Sequence, residues 1–303
     1  MKNKLYNCDP KYIDQGTDIP IFKHQEINVN EFSIKNAAEI HDNALKWLFD
    51  THKVNEKALR EDMINKLNLK KGDTILMTAT GAGNDIKYIM DKIDTDGTLY
   101  AQDFAKEMLF AAHDRAKKEL DTKKFKKIEF SVNDATELPF NNNSFDATFH
   151  FGGINLYHNV KKGIDEMHRV TKPGGKIVFG DEGLAHWLKH TSLGKALITN
   201  NKLYDLKPPL ELLPSSANNV KLTWVINNCF YLIEYMKDEK DWDVNIDIKH
   251  VGRRGGSIRT RHYGNLEGID PDLKEEFYKK ILQNGQSRVD AIENLIKSYL
   301  NKK

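Results

Sequence analysis

Short apolar segments alternate with helix-forming segments between residues 73 and 182, and this alternation limits the folds open to the chain. The apolar segments are DTILMTA, GTLYAQD, KIEFSVN, FDATFHF and KIVFGDE. Amphipathic segments such as AKEMLFAAHDRAKKEL and VKKGIDEMHRVT separate most of them. Strands joined by helical crossovers pair in parallel, so we predict a doubly wound α/β sheet. Ligands of such sheets bind beyond the carboxyl ends of the strands, where the strand order reverses.

The rest of the chain is predicted to add to this core. Residues 1–70 predict a polar arm and two helices that form an N-terminal helical cap, and residues 71–303 predict the core. Residues 183–222 lack a regular pattern and predict a lid insertion. The segment TWVINNCFYLIEYMKD predicts a helix. DVNIDIKHV and GGSIRTRHYG predict two antiparallel strands, which would bring the mostly parallel sheet to seven strands.

Composition excludes several classes of protein. The net charge of +2 comes from 46 basic and 44 acidic residues, which is unlike the clustered basic excess of a nucleic-acid binder. Cys8 and Cys229 form neither a metal cluster nor a disulfide framework. We find no apolar run of a signal peptide or membrane span, so we expect a cytoplasmic protein without metal. The oligomeric state is not fixed by the sequence, and a homodimer is compatible with it.

A glycine turn follows the first predicted strand and predicts a nucleotide site. Gly81 and Gly83 leave room for the backbone to approach a ligand, and Asp103 ends the next strand 20 residues after Gly83. A carboxylate at that distance can accept hydrogen bonds from both hydroxyls of a ribose. Ile86 stands where a dinucleotide-binding turn has a third small residue. The turn therefore favours a nucleoside without phosphates over NAD.

The end of the third strand adds a possible adenine contact. Asn133 and Asp134 follow KIEFSV, and an acid at a strand end can accept a hydrogen bond from an adenine amino group. The backbone amide of Ala135 can bond to the ring. Asp134 taken alone could equally be a turn residue or a helix cap.

These motifs together resemble the core of a class I S-adenosylmethionine (SAM) dependent methyltransferase. The resemblance is carried by ILMTATGAGND, YAQDFAKEML, NDATELPFNNNSFDATF and EMHRVTKPGGKIVF, and it is strongest to the ubiquinone/menaquinone C-methyltransferases, which act on small molecules. It implies a Rossmann-like fold, SAM as cofactor and S-adenosyl-L-homocysteine as product. The cofactor-binding residues that we infer are Met77, Ala79, Thr80, Gly81, Gly83, Asp103, Phe104, Met108, Asn133, Asp134, Ala135 and His150.

The chain departs from the family pattern at two positions of the first motif. Met77 stands where the family usually has an acid, and Ala79 stands where it has a glycine. The acid commonly orients the methionine amine of SAM. Without it, a second function is open: the amine could attack its own side chain and release methylthioadenosine, as in a cyclase or lyase. A non-catalytic SAM-binding partner protein is a third alternative.

Candidate catalytic residues follow the fourth and fifth strands. A hydroxyl or acidic carbon acceptor benefits from a general base, and the strand nearest the expected methyl group is followed by His150, Tyr157 and His158. Each of them could equally be a structural residue. The candidates for substrate binding are Asn155, Asp181, Glu182, Arg259 and Arg261. The two arginines would share one face of a strand and could clamp an anion, or lie in a solvated hairpin.

Overall fold

The computed structural model describes residues 5–22, 32, 34–253, 255–263 and 270–301. The chain forms two compact units, Met1–Asp241 and Trp242–Lys303, which are described separately. Among the helices in these ranges, none has the length and apolar character needed to cross a bilayer.

A mixed sheet forms the centre of the first unit. Its strands are β1 (Tyr12–Ile13), β2 (Pro20–Ile21), β3 (Thr74–Thr78), β4 (Thr98–Asp103), β5 (Ile128–Val132), β6 (Phe145–Phe151), β7 (Thr171–Glu182), β8 (Ala217–Val225) and β9 (Phe230–Lys237). The strand order is β1-β2-β5-β4-β3-β6-β7-β9-β8. Strands β5, β4, β3, β6 and β7 pair in parallel, and they are the five strands that the sequence predicts. The α/β fold class is therefore confirmed.

Helices cover both faces of this sheet and occur again in the second unit. The first unit contains α1 (Ala37–His52), α2 (Glu56–Asn65), α3 (Ile86–Ile93), α4 (Lys106–Glu119), α5 (Thr122–Phe125), α6 (Val160–Val170) and α7 (Ser192–Asn200). The second contains α8 (Ile258–Tyr263), α9 (Pro271–Gln283) and α10 (Arg288–Leu300). Because helices cover both faces of a parallel sheet, its strands are apolar on both sides. Strand β3 fits this rule, since its last four residues are all buried.

The described sheet has nine strands rather than the predicted seven. The two additional strands, β1 and β2, come from the N-terminal arm, and Ile21 of β2 pairs in parallel with Val132 of β5. Each is only two residues long. A strand this short has too few residues for the period-2 pattern that would reveal it in the sequence.

The two closing strands are β8 and β9, and here the sequence prediction is wrong. The predicted helix over TWVINNCFYLIEYMKD is instead the end of β8, a turn, and β9. Residues Ile226, Asn227 and Asn228 make that turn, all with left-handed φ angles (47°, 57° and 66°). Strand β9 is buried on both faces from Phe230 to Tyr235, so its sequence lacks the alternation that distinguishes a strand from a helix.

The segment between β7 and β8 contains α7 and three short 3₁₀ helices. One backbone hydrogen bond, from Leu184 N to the Tyr204 carbonyl (2.8 Å), closes the segment on itself, and another, from Ala185 N to the Asn228 carbonyl (2.9 Å), ties its start to the turn between β8 and β9. Its role as a lid therefore stays a prediction.

In the described residues of the second unit, the regular structure is helical. The predicted strand DVNIDIKHV has no strand conformation, and GGSIRTRHYG contains helix α8 in place of a strand. Both strand predictions are wrong within the described residues, which exclude Arg254. The predicted helical C-terminus is confirmed as α9 and α10, which Gly285 and the N-cap Ser287 separate.

Candidate functional site

The strand order reverses at β3, which has β4 on one side and β6 on the other. The chain leaves β3 through the glycine turn of residues 79–85 and leaves β6 through Gly152 and Gly153. A β-carbon built on Gly153 would lie 3.7 Å from Cβ of Ala79, so the two turns are adjacent. This is the position where doubly wound sheets bind their ligands.

The glycine turn has a left-handed backbone at three positions. Ala79, Gly81 and Gly83 have φ angles of 47°, 56° and 82°. A β-carbon on Gly83 would lie only 3.0 Å from Cβ of Ala112 on α4, whereas on Gly81 it would have no neighbour closer than 3.9 Å. Gly83 therefore allows α4 to pack closely, and Gly81 leaves open space beside the turn. Ala79 takes a conformation that costs an L-residue free energy, which is a feature of functional turns.

Asp103 joins the glycine turn to the end of β4. Its Oδ2 accepts a hydrogen bond from the Gly81 amide (2.7 Å), and its Oδ1 accepts one from the Ala105 amide (2.7 Å). Burial raises the pKa of this carboxyl to about 6, against the lowering effect of the Gly81, Ala105 and Phe104 amides. Each carboxylate oxygen has a second lone pair, so both can still accept a bond from a ligand hydroxyl.

The predicted adenine contacts lie on the loop after β5. Oδ1 of Asp134 accepts bonds from the backbone amide and the hydroxyl of Thr136, both at 2.8 Å. Asn133 is buried; its Nδ2 donates to Ser131 Oγ (2.9 Å), and its Oδ1 has no partner among the described residues. Ala135 is buried, and the Asn133 amide donates to the Asp103 carbonyl (3.1 Å), which brings this loop to the end of β4.

His150 is fully buried at the end of β6 and is held by two hydroxyl groups. Its Nδ1 lies 2.9 Å from Thr78 Oγ1 and 3.3 Å from the Tyr157 hydroxyl. Burial lowers the pKa of the imidazole to about 3, so the ring is neutral. Its Nε2 is buried without a partner in the described structure. His158, in contrast, is exposed and contacts Thr136 Oγ1 at 3.3 Å.

Asp181 organises the turn after β6 from the neighbouring strand β7. Its Oδ2 accepts bonds from the Gly153 amide (3.1 Å) and the Asn155 amide (2.7 Å), and Oδ1 accepts one from the Glu182 amide (2.8 Å). Burial raises the pKa of Asp181 well above its usual value, and the Glu182 carboxyl raises it further. The Asn155 side chain donates to the Glu182 carbonyl (2.8 Å). Asp181 therefore supports the turn, and Glu182 is the more accessible of the two acids.

The remaining cofactor candidates lie in or beside the glycine turn. Met77 packs in the main hydrophobic cluster and is only 2% exposed. The position that holds an acid in the family is therefore part of the apolar core in this chain. Thr80 is buried, and its amide donates to the Gln102 carbonyl (3.0 Å). Met108 packs with Ala82 of the turn, and half-buried Phe104 follows Asp103.

The two arginines of the predicted anion clamp lie in the second unit. Arg259 and Arg261 are on helix α8, so the predicted strand that would align them on one face is wrong. Arg259 forms an ion pair with Asp247 (2.6 Å), and Nε of Arg261 donates to the Gly255 carbonyl (3.0 Å). Each arginine therefore has a partner within its own unit.

Sequence reasoning missed the contribution of helix α1 to this site. Ala37 packs against Ala82 of the glycine turn and Met108 of α4. Asp42 accepts a bond from Asn84 Nδ2 (3.4 Å) and pairs with Arg115 of α4. His41 lies between these contacts on the helix. The helical spacing of Ala37 and His41 was the signal in the sequence, but it does not say which surface the helix covers.

Comparison with known proteins agrees with this geometry. Residues 42–182 match the ubiE/COQ5 methyltransferase family. A demethylmenaquinone methyltransferase of Oceanobacillus iheyensis is 34% identical over 125 residues, which are 40% of this chain and 50% of that protein. The ubiquinone/menaquinone biosynthesis C-methyltransferase UbiE of Bdellovibrio bacteriovorus is 36% identical over 120 residues, or 39% of this chain and 48% of that protein. The chain spans about half the length of these relatives.

A solved structure supports the fold. Phosphoethanolamine N-methyltransferase 2 of Haemonchus contortus, in complex with S-adenosyl-L-methionine, has a TM-score of 0.55. The match covers 70% of this chain and 61% of that one at 16% identity, so it concerns the fold alone. The core of this chain, from residue 42 to residue 182, is similar to the class I SAM-dependent methyltransferases of the ubiE/COQ5 family.

Proposed function

We propose that this chain binds SAM and transfers its methyl group to a small organic acceptor, leaving S-adenosyl-L-homocysteine. The observation that carries the proposal is Asp103, whose two oxygens bond to the amides of Gly81 and Ala105 at the point where the strand order reverses. These two bonds hold the carboxylate in place. The family match over residues 42–182 supports the same reaction.

The adenosine end of SAM fits the residues that are present. Asp103 has lone pairs for two ribose hydroxyls, Gly81 has open space beside it, and Asp134 has one carboxylate oxygen without a bond within the described structure. The methionine end has no acid at Met77. Bound SAM would supply an electrophilic methyl group on a positively charged sulfur. The protein's part is to bind, to orient and to remove a proton from the acceptor.

The acceptor that we propose is a hydroxylated aromatic ring, such as a reduced quinone. An electrophilic methyl group needs an electron-rich carbon, which a hydroquinone offers and a quinone does not. The relatives named as demethylmenaquinone methyltransferases support this class. Asn155 and Glu182, on the turn after β6 and the end of β7, are the proposed acceptor contacts in the first unit.

Purified protein incubated with SAM and anaerobic 1,4-naphthohydroquinone tests the proposal. We expect S-adenosylhomocysteine and a singly methylated naphthohydroquinone, both detected by mass spectrometry and both absent without protein. Incubation with SAM alone separates the alternatives. Methylthioadenosine formed faster than in a protein-free control would favour the cyclase or lyase. Retained SAM with no turnover on any acceptor would favour a binding protein.

Several wider features belong to the same proposal. We propose that the acceptor is a small molecule and not a nucleic acid, which the charge balance of +2 supports. A cytoplasmic location, a homodimer, the cap role of residues 1–70 and the lid role of residues 183–222 are proposed with it. Sedimentation of the purified chain tests the dimer directly.

Tyr157 packs against Gly163 of helix α6, and this contact gives a prediction for Gly163→Ala. A β-carbon on Gly163 would lie 2.5 Å from Cδ2 and 2.6 Å from Cε2 of Tyr157, so the ring must move. The Tyr157 hydroxyl then moves away from His150. Because methyl transfer depends on the positions of the groups around the acceptor, we expect its rate to fall by about ten- to a hundredfold. Alanine itself favours the helix by about 1 kcal/mol, so the unit stays folded.

Steady-state methyl transfer and SAM affinity check this prediction. We expect SAM affinity to change little, because the atoms nearest to a β-carbon on Gly163 all belong to Tyr157. Lys162→Ala, an exposed neighbour on the same helix, is the control and should keep full activity. Full activity in Gly163→Ala would remove Tyr157 and its bond to His150 from the proposed site.

A further inference from the structure

His41 lies on the face of α1 that covers the glycine turn. Ala37, one turn earlier on the helix, packs against Ala82 and Met108. Asp42, the next residue, bonds to Asn84 beside the turn and pairs with Arg115. The helix is therefore fixed on both sides of His41.

The imidazole of His41 has unused hydrogen-bonding capacity. Its Nδ1 is buried and has no partner in the described ranges, and no described residue bonds to Nε2 either. A buried polar atom left without a partner costs about 1–3 kcal/mol, so such atoms are usually bonded. A bound molecule with a hydroxyl group would supply the missing partner.

Charged groups from four elements act electrostatically on His41. They are Asp42 on its own helix, Arg60 on α2, Arg115 on α4 and Glu182 at the end of β7. Burial lowers the pKa of His41 below its usual value of 6.5; the two arginines lower it further, and Asp42 and Glu182 oppose this. Arg60 pairs with Asp85 and Arg115 pairs with Asp42, so Glu182 is the charge that no described cation neutralises. The ring is neutral at pH 7 and can take up a proton.

We propose that His41 is the base that accepts the hydroxyl proton of the acceptor, and that Glu182 stabilises the imidazolium that forms. The pair joins a residue of α1 and a residue at the end of β7. His41 was not identified as a functional residue from the sequence. This inference rests on the proposed function, because it needs a hydroxylated acceptor next to the methyl donor.

The proton transfer balances without an oxidant or another reactant. The O–H bond of the acceptor breaks, its proton binds to an unpaired nitrogen of His41, and its electron pair enters the ring. The ring carbon gains the methyl group as the sulfur–methyl bond breaks, and S-adenosylhomocysteine is the leaving group. The same carbon later loses its own proton to solvent, while the oxygen recovers a proton from the imidazolium. One proton is released overall. His41 is therefore neutral again at the end of the cycle.

His150 is less suited to this role. Its Nδ1 already contacts Thr78 and Tyr157, and its burial lowers the pKa to about 3, far below neutral pH. A base that weak gains little by taking a proton from a phenol. Its contacts with Thr78 and Tyr157 instead hold the ring in place at the end of β6.

Titration of His41 by NMR tests the pair without any turnover. The resonance is assigned by its loss in His41→Gln, and its pKa is measured in the wild-type chain and in Glu182→Gln. We expect the pKa of His41 to fall in Glu182→Gln, because the carboxylate that favours the imidazolium is gone. An unchanged titration would show that Glu182 does not act on His41 and would overturn the pair.

Kinetics with 1,4-naphthohydroquinone test the base itself. We expect His41→Gln to bind SAM normally but to lower kcat by about 10²- to 10⁴-fold and to lose the acidic limb of the pH profile. His52→Gln is the matched control: His52 is eleven residues along the same helix, buried at its other end. His52→Gln should keep both the wild-type kcat and the acidic limb of the pH profile.

The outcomes separate this inference from the function on which it rests. If the wild-type chain forms no methylated product, the proposed function is overturned. The NMR titration would still test the interaction between His41 and Glu182 in that case. Normal turnover and an unchanged pH profile in His41→Gln would overturn the base assignment and leave the methyltransferase intact. Loss of SAM binding in His41→Gln would give His41 a role in cofactor binding and would also overturn the assignment.

Discussion

Asp103→Ala is expected to weaken SAM binding by about two orders of magnitude. The carboxylate would accept bonds from two ribose hydroxyls, and hydrogen bonds to a charged group are worth about 1.5–3 kcal/mol each. The variant also frees the amides of Gly81 and Ala105, whose turns Asp103 holds in place. Isothermal titration with SAM and with S-adenosylhomocysteine measures the loss. Both ligands carry the same ribose, so both affinities should fall together.

The affinity for SAM should also depend on pH in a defined direction. Burial raises the pKa of Asp103 to about 6. A protonated carboxyl loses part of its capacity to accept hydrogen bonds, so affinity falls as the pH drops below about 6, by about tenfold per unit. Above about pH 7 the carboxylate is ionised and affinity becomes constant. The slope should disappear in Asp103→Asn, which cannot titrate.

A neighbouring acid provides the control for both measurements. Asp114 lies on α4, its side chain is 80% exposed, and it contacts only His113 among the described residues. Asp114→Ala should bind SAM as the wild-type chain does at every pH. Wild-type affinity in Asp103→Ala would place the nucleoside elsewhere and would contradict the assignment of the glycine turn as its site.

The parallel core was predictable because its signals are local. Each strand of the core is a short apolar run, and the distance from Gly83 to Asp103 is set by one helix and one strand. The contact between Asp103 and the Gly81 amide follows from that spacing. The resemblance to a known family then named residues at the strand ends, and the structure joins two of these ends through the bond from the Asn133 amide to the Asp103 carbonyl.

The closing hairpin and the contribution of α1 could not be predicted in the same way. Strand β9 is covered on both faces, so Phe230–Tyr235 shows no alternation, and the turn before it is built from Ile226 and two asparagines without glycine. The position of His41 depends on contacts with Met108 and Arg115, more than sixty residues away in sequence. Helical periodicity identifies an apolar stripe but not its partner.

Arg60→Met is expected to lower the free energy of unfolding of the first unit by about 3–5 kcal/mol. Arg60 and Asp85 form an ion pair of 2.7 Å, and their side chains are only 5% and 7% exposed. Removal of one partner leaves the other charge buried without compensation, which is the costly way to break such a pair. Asp85 is also the last residue of the glycine turn and the N-cap of α3, so its displacement disturbs the nucleoside site. Urea unfolding followed by tryptophan fluorescence measures the effect.

A double variant decides whether the buried charge is the cause. Arg60→Met combined with Asp85→Asn removes both charges, and we expect it to recover more than half of the lost stability. Glu56→Gln should cost much less, because that partner of Arg60 is 44% exposed and solvent already screens it. If the double variant is as unstable as Arg60→Met alone, the loss comes from another contact of the arginine, its position over the Phe49 ring at 5.9 Å. Arg60 would then stabilise the unit by packing α2 against Phe49 of α1, and the ion pair with Asp85 would contribute little.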